Sequence, residues 1–344
     1  MGEPDMVLRR RHFVIGVSAA AGAAALASPV QAQGGGRAVR YSTGQGQANP
    51  KVQAARRFGQ LVEQRSNGEV RFTYFESGQL YQDRDEPQAI RQGTIQMATI
   101  AAVFLEAAVP NTQIYGLPFM FGVDPQKAKA LAKSEIGRAV EAQIEQRLGA
   151  RVLGTWYSGT TMYVTSKPVR MPDDFRGMRV RVAGSKLWEE YTRALGASPV
   201  AVSFGELFTA AQQGLIDAID SNANALSGIR IAQVMKHGIR TDHSTIVHML
   251  AFNGAFWRGL PRPIQQLMEE VAAETTDWEW DRGIAQMEES YQKLAADGMT
   301  IHQPSAAEVA AFRARILPLQ DPYLAANPNI DRELVRRAQG LVSG

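Results

Sequence analysis

Among the residues able to do chemistry, Arg181 is the most demanding. It stands in Arg179-Val180-Arg181-Val182, a strand-like run in which a charge between apolar neighbours is costly unless it is paired. A guanidinium presents two parallel donors that match a carboxylate, a geometry lysine does not reproduce. Asp173, Asp174 and Glu189 are near enough in sequence to supply a structural partner. On the residues alone, an internal ion pair therefore competes with a ligand carboxylate. Arg179 is expected to be solvated.

Enzyme constellations find little support. Gly44-Gln45-Gly46-Gln47 follows a strand, but the third glycine of a dinucleotide fingerprint would fall at Asn49, with Pro50 next. Ala201-Val202-Ser203-Phe204-Gly205 departs by one residue from G-x-S-x-G. Ser203 and Glu206 instead have capping-box spacing, which would occupy the hydroxyl at a helix start. His237, His243, His248 and His302 form no H-E-x-x-H pair, and no acidic spacing matches a calcium loop. Asp217 and Asp220 read as the edge of a short strand and turn. The chain has no cysteine, which removes thiol nucleophiles, disulfides, iron–sulfur clusters and Cys-ligated zinc. The expectation is no enzyme, no metal and no cofactor. A secreted hydrolase using Ser203 is the alternative from the enzyme class.

The elements that must position these residues alternate between strand and helix. Strand patterns fall at 39–43, 70–75, 95–100, 152–157, 162–165, 180–182 and 246–253. Helical patterns open at Asn49-Pro50 and fill 86–92, 125–148, 185–195 and 206–213, and Ser305 with Glu308 has capping-box spacing. From Pro263 to about Ala296, Ile264, Leu267, Val271, Trp278, Met287, Tyr291 and Leu294 broadly keep helical spacing. Such a helix is roughly 50 Å long, enough to lie across two lobes. With 344 residues, 45% hydrophobic and 21% charged, the chain is expected to be α/β with two lobes. A formal charge of +3 without a basic stripe argues against nucleic acid.

An ordered series of motifs is more specific than any one of them. It runs Gly78-Gln79-Leu80, Gly93 to Ala98, Leu117-Pro118-Phe119-Met120-Phe121, Arg176 to Val182, Ala194 to Val200 and Phe204 to Asp217. In this order and spacing, from about Val39 to Ala296, the chain resembles the DctP-type solute receptors of tripartite ATP-independent periplasmic (TRAP) transporters. The resemblance implies a type II-like periplasmic binding protein with hinge strands and a long helix spanning both lobes. The lobes are expected at 38–160 plus 246–283 and at 161–245 plus 284–344. It also implies an organic-acid ligand and delivery to a TRAP permease of a small and a large membrane subunit. A binding protein serving a sensor kinase or another transporter class is the alternative within that fold. Monomer and homodimer are both open.

The resemblance places Arg181 on the family's carboxylate-binding arginine and Phe204 beside the bound acid. Gln45 and Gln47 lie on a loop that lines the cleft in this fold. Trp156, with Tyr157 and Trp188, is a large ring that either walls the site or packs in the core. Two departures bear on the ligand. Thr161 stands where many members carry a second arginine, and Ser221, with Asn222 adjacent, where the family often has asparagine. One arginine with small hydroxyls suits a monocarboxylate or a compact acid better than a dicarboxylate or a large sugar acid.

At the N-terminus, Arg9-Arg10-Arg11-His12-Phe13 precedes an Ala-rich apolar run and Val30-Gln31-Ala32. This reads as an export signal at 1–32, twin-arginine-like, removed before Gln33 in a Gram-negative periplasm. Residues 33–37 read as a flexible leader.

Overall fold

Ten strands occur among the described residues, 36–343, of the computed structural model. They are β1 (Arg37–Ser42), β2 (Val70–Phe75), β3 (Met97–Ala101), β4 (Ala150–Thr165) and β5 (Arg179–Val182). The remainder are β6 (Ser198–Ala201), β7 (Ala218–Asn222), β8 (His237–Ile239), β9 (Thr245–Asn253) and β10 (Thr300–His302). The export-signal expectation and most of the leader lie outside the described residues. Neighbours run β2-β1-β3-β9-β4-β7-β5-β6, while β8 joins β4 to β10. The β1–β2 and β5–β6 pairs are parallel, and such pairs need crossover helices. The first crossover, Pro50–Arg65, starts because Pro50 suits a first turn and the Asn49 side chain accepts the Lys51 N–H. Its buried face of Ala54, Ala55, Phe58 and Val62 keeps helical spacing and packs on Phe252 and Trp257.

The two strands expected at 152–157 and 162–165 are one strand of 16 residues. β4 pairs with β9 as far as Thr160, and from Thr161 it pairs with β7 and β8. Continuity through the junction depends on Gly159, at φ +138°, where the register shifts. A β-carbon there would meet Met287 Sδ at 2.5 Å and Asn222 Cβ at 3.1 Å, so only glycine lets the strand bend past the long helix. Apolar alternation stops at such a bulge, which is why the pattern reads as an interruption.

The long helix runs Arg262–Ala296. It packs against the Pro50–Arg65 helix, against β4 and against the Ala223–Leu226 helix. Trp278, expected at the core, is half-buried with Arg57 over its ring, and Trp280 is the residue fully enclosed. Trp280 donates to the Thr155 carbonyl at 2.8 Å and stacks on Tyr157. Next to it, buried Glu279 accepts the Tyr157 N–H at 2.7 Å. Polar residues on a buried helical face serve the irregular strand beneath, and apolar spacing does not register them. The last helix, Arg332–Ser343, was expected with the second lobe. It packs instead against the Pro125–Lys133 and Glu135–Leu148 helices, and Asp331 N–H bonds to Asn111 Oδ1 at 2.7 Å.

Candidate functional site

Arg181 is placed by β5, which lies between β6 and β7. The residue is only 3% exposed. Its Nε donates to the Val202 carbonyl at 3.0 Å and its Nη1 to the Asp220 carbonyl at 3.4 Å. The expected internal carboxylates are engaged elsewhere: Asp173 with Arg176 and Arg315, Glu189 with Arg193. Asp174 accepts the N–H groups of Arg170 and Met171. Burial pushes the guanidinium down to about 10, opposed by the Asp220 charge, so it stays protonated at neutral pH. Arg179 shares that strand face by alternation. It sits at the strand's entrance, where Asp217 receives it through two bonds of 2.8 and 2.9 Å.

Arg181 faces a cavity of about 40 Å³. Gln45, Asp83, Ser158, Ser221, Asn222 and His248 form its polar wall. Ala101, Phe104, Ala183, Trp188, Phe204 and Ile246 form much of the apolar one. The structure thus gathers Arg181, Phe204, Ser221, Asn222 and Gln45, drawn from four separate stretches of chain. Gln47, on the same loop as Gln45, is exposed and is not part of the cavity lining. Thr161 is fully buried behind the sheet junction, where its hydroxyl contacts the His243 ring and the Ser244 carbonyl. Trp156 pairs with His248 across the ladder, but the long helix covers that part of the sheet and Thr276 accepts its indole N–H at 2.9 Å. It is a core residue, outside the cavity.

Asp83, Ser158, Phe104 and His248 were not legible in the sequence. Asp83 Oδ1 accepts the Gly44 N–H at 2.6 Å, and Oδ2 accepts from Gln45 at 3.2 Å. A β-carbon on Gly44 would lie 2.7 Å from Asp83 Oδ1. The Gly44-Gln45-Gly46-Gln47 run, which falls short of a dinucleotide fingerprint, is therefore the cradle of an aspartate. Behind it, fully buried Lys51 lies 3.9 Å from Asp83 and donates to the Thr99 carbonyl at 3.2 Å. Glu86 completes the cluster; burial, then the Asp83 charge, pushes its carboxyl well above the usual range. His248 is held neutral, by burial first and the Lys51 charge second, and its Nδ1 has no partner among the described residues.

These shifts set the pH dependence of stability. Burial pushes Glu86 and Glu279 well above the usual carboxylate range, Glu106 up to about 8, and Glu141 upward. Each keeps a proton in the folded chain that the unfolded chain releases above about pH 4.5, so stability falls as pH rises toward the folded pKa. His248 acts oppositely, costing stability below about pH 6.5, where only the unfolded chain binds its proton. Carboxylates held low by arginines, such as Asp217 and Glu274, titrate below this window. With Glu86, Glu279 and Glu106 against His248, unfolding free energy is expected to decline from pH 5 to pH 8, by on the order of 1 kcal/mol per unit for each unopposed proton. Urea titrations at pH 5, 6.5 and 8 measure this, and a flat or rising profile contradicts it.

The profile of the family described as bacterial extracellular solute-binding protein, family 7 (DctP) matches residues 41–326. The chain belongs to this family. It is 30% identical over 319 residues to the C4-dicarboxylate-binding periplasmic protein DctP of Rhodobacter capsulatus, covering 92% of this chain and 94% of that one. A TRAP periplasmic solute-binding protein from Shewanella oneidensis, solved with bound succinate, shares the fold at a TM-score of 0.84. The two are 23% identical, with 89% of this chain and 99% of the other covered. Another from Desulfovibrio salexigens, with bound orotic acid, gives 0.83 and 28% identity, with 89% and 98% covered. The two-lobed α/β architecture expected from the motif series is that of these solute-binding proteins. In this family-7 chain, the Glu206 carboxylate accepts the Ser203 N–H at 3.2 Å, one half of a capping box. Among the described residues, His243 bonds to Thr161, Thr241 and Asp220, and His302 to Glu308; neither contacts Ser203. No helix among them is long and apolar enough to cross a membrane.

Proposed function

We propose that this protein is a periplasmic receptor that traps a monocarboxylic acid, with the carboxylate held by Arg181, and delivers it to a TRAP permease. The observation that carries the reading is a buried guanidinium whose two hydrogen bonds are to backbone carbonyls and which faces a cavity. Desolvated charges of this kind bind an anion strongly when it offers two acceptors. Relatives in the family carry names and bound molecules of the organic-acid class: C4-dicarboxylates, succinate and orotic acid. Here the lining supports a single carboxylate. Arg181 is the one cationic side chain among the described lining residues, His248 is neutral, and Asp83 would repel a second acid group. Phe204, Ser221, Asn222 and Gln45 would contact the ligand's body. Closure joins the β5 side, bearing Arg181, to the Gln45–Asp83 side across β4 and β9.

Thermal unfolding of protein refolded to strip bound ligand, against mono- and dicarboxylates, tests this. A ligand at 100 times its dissociation constant adds about 2.7 kcal/mol, a shift of several degrees. Stabilisation by monocarboxylates is the expected result. Much tighter binding of C4-dicarboxylates than of their monocarboxylate analogues would contradict the single-carboxylate reading.

A further inference from the structure

A larger cavity, of about 590 Å³, lies beside the one that Arg181 faces, and Val103, Phe104 and Ala183 line both. We propose that the two are compartments of one site and that the ligand is a monocarboxylic acid with an apolar tail of several carbons, its tail in the larger cavity. This rests on the assignment of the carboxylate to Arg181.

The volumes divide the ligand. At 40 Å³ the inner cavity has room for about three water-sized groups, which a carboxylate and its first carbon fill. Anything longer must pass Phe104 and Ala183. The outer cavity falls within the range of small-molecule pockets, roughly 300–1,000 Å³. It is formed by the segment after β3, the segment after β5 and the stretch from Tyr323 to Ile330.

The chemistry of the outer walls points to hydrocarbon. Ala107, Pro110 and Ala201 add apolar surface to the three shared residues. Three of the polar side chains that reach this space, those of Glu106, Gln113 and Asn327, are already engaged. Both Glu106 oxygens accept the Ser185 hydroxyl, at 2.8 and 2.9 Å, and Gln113 Oε1 accepts the Tyr323 hydroxyl at 2.6 Å. The Asn327 amide donates to the Tyr323 carbonyl at 2.8 Å. Burial also pushes the Glu106 carboxyl up to about 8, so at neutral pH it is mostly uncharged. Arg84 and Lys186 also line this space and are exposed residues, so a tail packs on their apolar stems while solvent reaches the charged ends. A tail laid along Val103, Phe104, Ala107, Pro110, Ala183 and Ala201 gains from burial on those walls.

Calorimetric titration with straight-chain monocarboxylates from acetate to octanoate reads the outcome. Affinity is expected to rise about fourfold per methylene once the chain extends past propionate. Ala107→Trp fills the outer cavity from an exposed position, with Ala326→Trp from the facing wall as a second variant. Each is expected to remove the gain with length and to leave acetate and propionate unchanged. Arg181-dependent binding of short acids with no gain in octanoate would overturn the tail compartment alone. A gain that survives both tryptophans would overturn its placement in this cavity. If no acid bound at all, the carboxylate assignment would fall together with it.

Discussion

Arg181→Ala is expected to weaken carboxylate binding on the order of a thousandfold while leaving the ligand-free protein as stable as before, or more so. The two effects have one cause. In the ligand-free fold the guanidinium is 3% exposed and bonded only to the carbonyls of Val202 and Asp220, so its desolvation is incompletely repaid. A bound carboxylate adds the direct charge-assisted bonds that the nearby Asp220 charge does not make with the guanidinium, and truncating one partner of such a buried pair costs about 2–5 kcal/mol or more. Removing the side chain removes both the cost and the gain. Arg181→Lys keeps a charge but loses the two-point fork, and should also bind poorly. Calorimetry with the best acid, paired with urea unfolding of the ligand-free variants, measures both halves. Submicromolar binding by Arg181→Ala would overturn the site assignment. A large loss of stability in that variant would mean that the arginine is structural.

Lys51→Met is expected to destabilise the fold by about 3–5 kcal/mol, the cost of breaking a buried pair by removing one member. The melting temperature should fall on the order of 10 °C. Lys51 is fully buried, 3.9 Å from Asp83, and Glu86 lies in the same cluster. Without the ammonium, the Asp83 charge keeps only the Gly44 N–H and the Gln45 amide, and the Thr99 carbonyl loses its lysine donor. Asp83→Asn in the same background removes the stranded charge and should recover much of the loss, so the two changes are strongly non-additive. A Lys51→Met protein within about 1 kcal/mol of the native chain would show that the cluster is solvated in solution. Because Asp83 and Gln45 line the inner cavity, the same cluster holds one wall of the binding site in place.

How far these features could be read from the chain depends on their range. Asn49 and Ser305 announce helix starts because a cap bonds within three residues of itself. The strands β1, β2 and β5 and the Pro50–Arg65 and Lys186–Ala194 crossover helices follow from periodicity in short windows, whereas the short parallel strands β6, β8 and β10 do not. Gly44-Gln45 was visible as an unusual run, but its purpose was not, because Asp83 arrives from 39 residues away. His248 gave no signal: a histidine within an apolar strand looks alike whether it faces the core or a cavity. Thr161 and Trp156 were drawn into the site by linear position. The junction at Gly159 and the cover of the long helix decide that one contacts His243 and the other Thr276.

By itself the sequence determined the strand–helix alternation, the ordered motifs that mark family 7, and the presence of one arginine too costly to bury without a partner. Only the tertiary structure decided who that partner is not. It engaged Asp173, Asp174 and Glu189 elsewhere, set Arg181 against a cavity, and brought Asp83 and His248 to face it. The physical reason is that helix caps, strand pattern and turns are settled by neighbours within a few residues. Burial, charge pairing and cavity shape are properties of surfaces that meet only when distant segments pack, here across gaps of tens to more than two hundred residues.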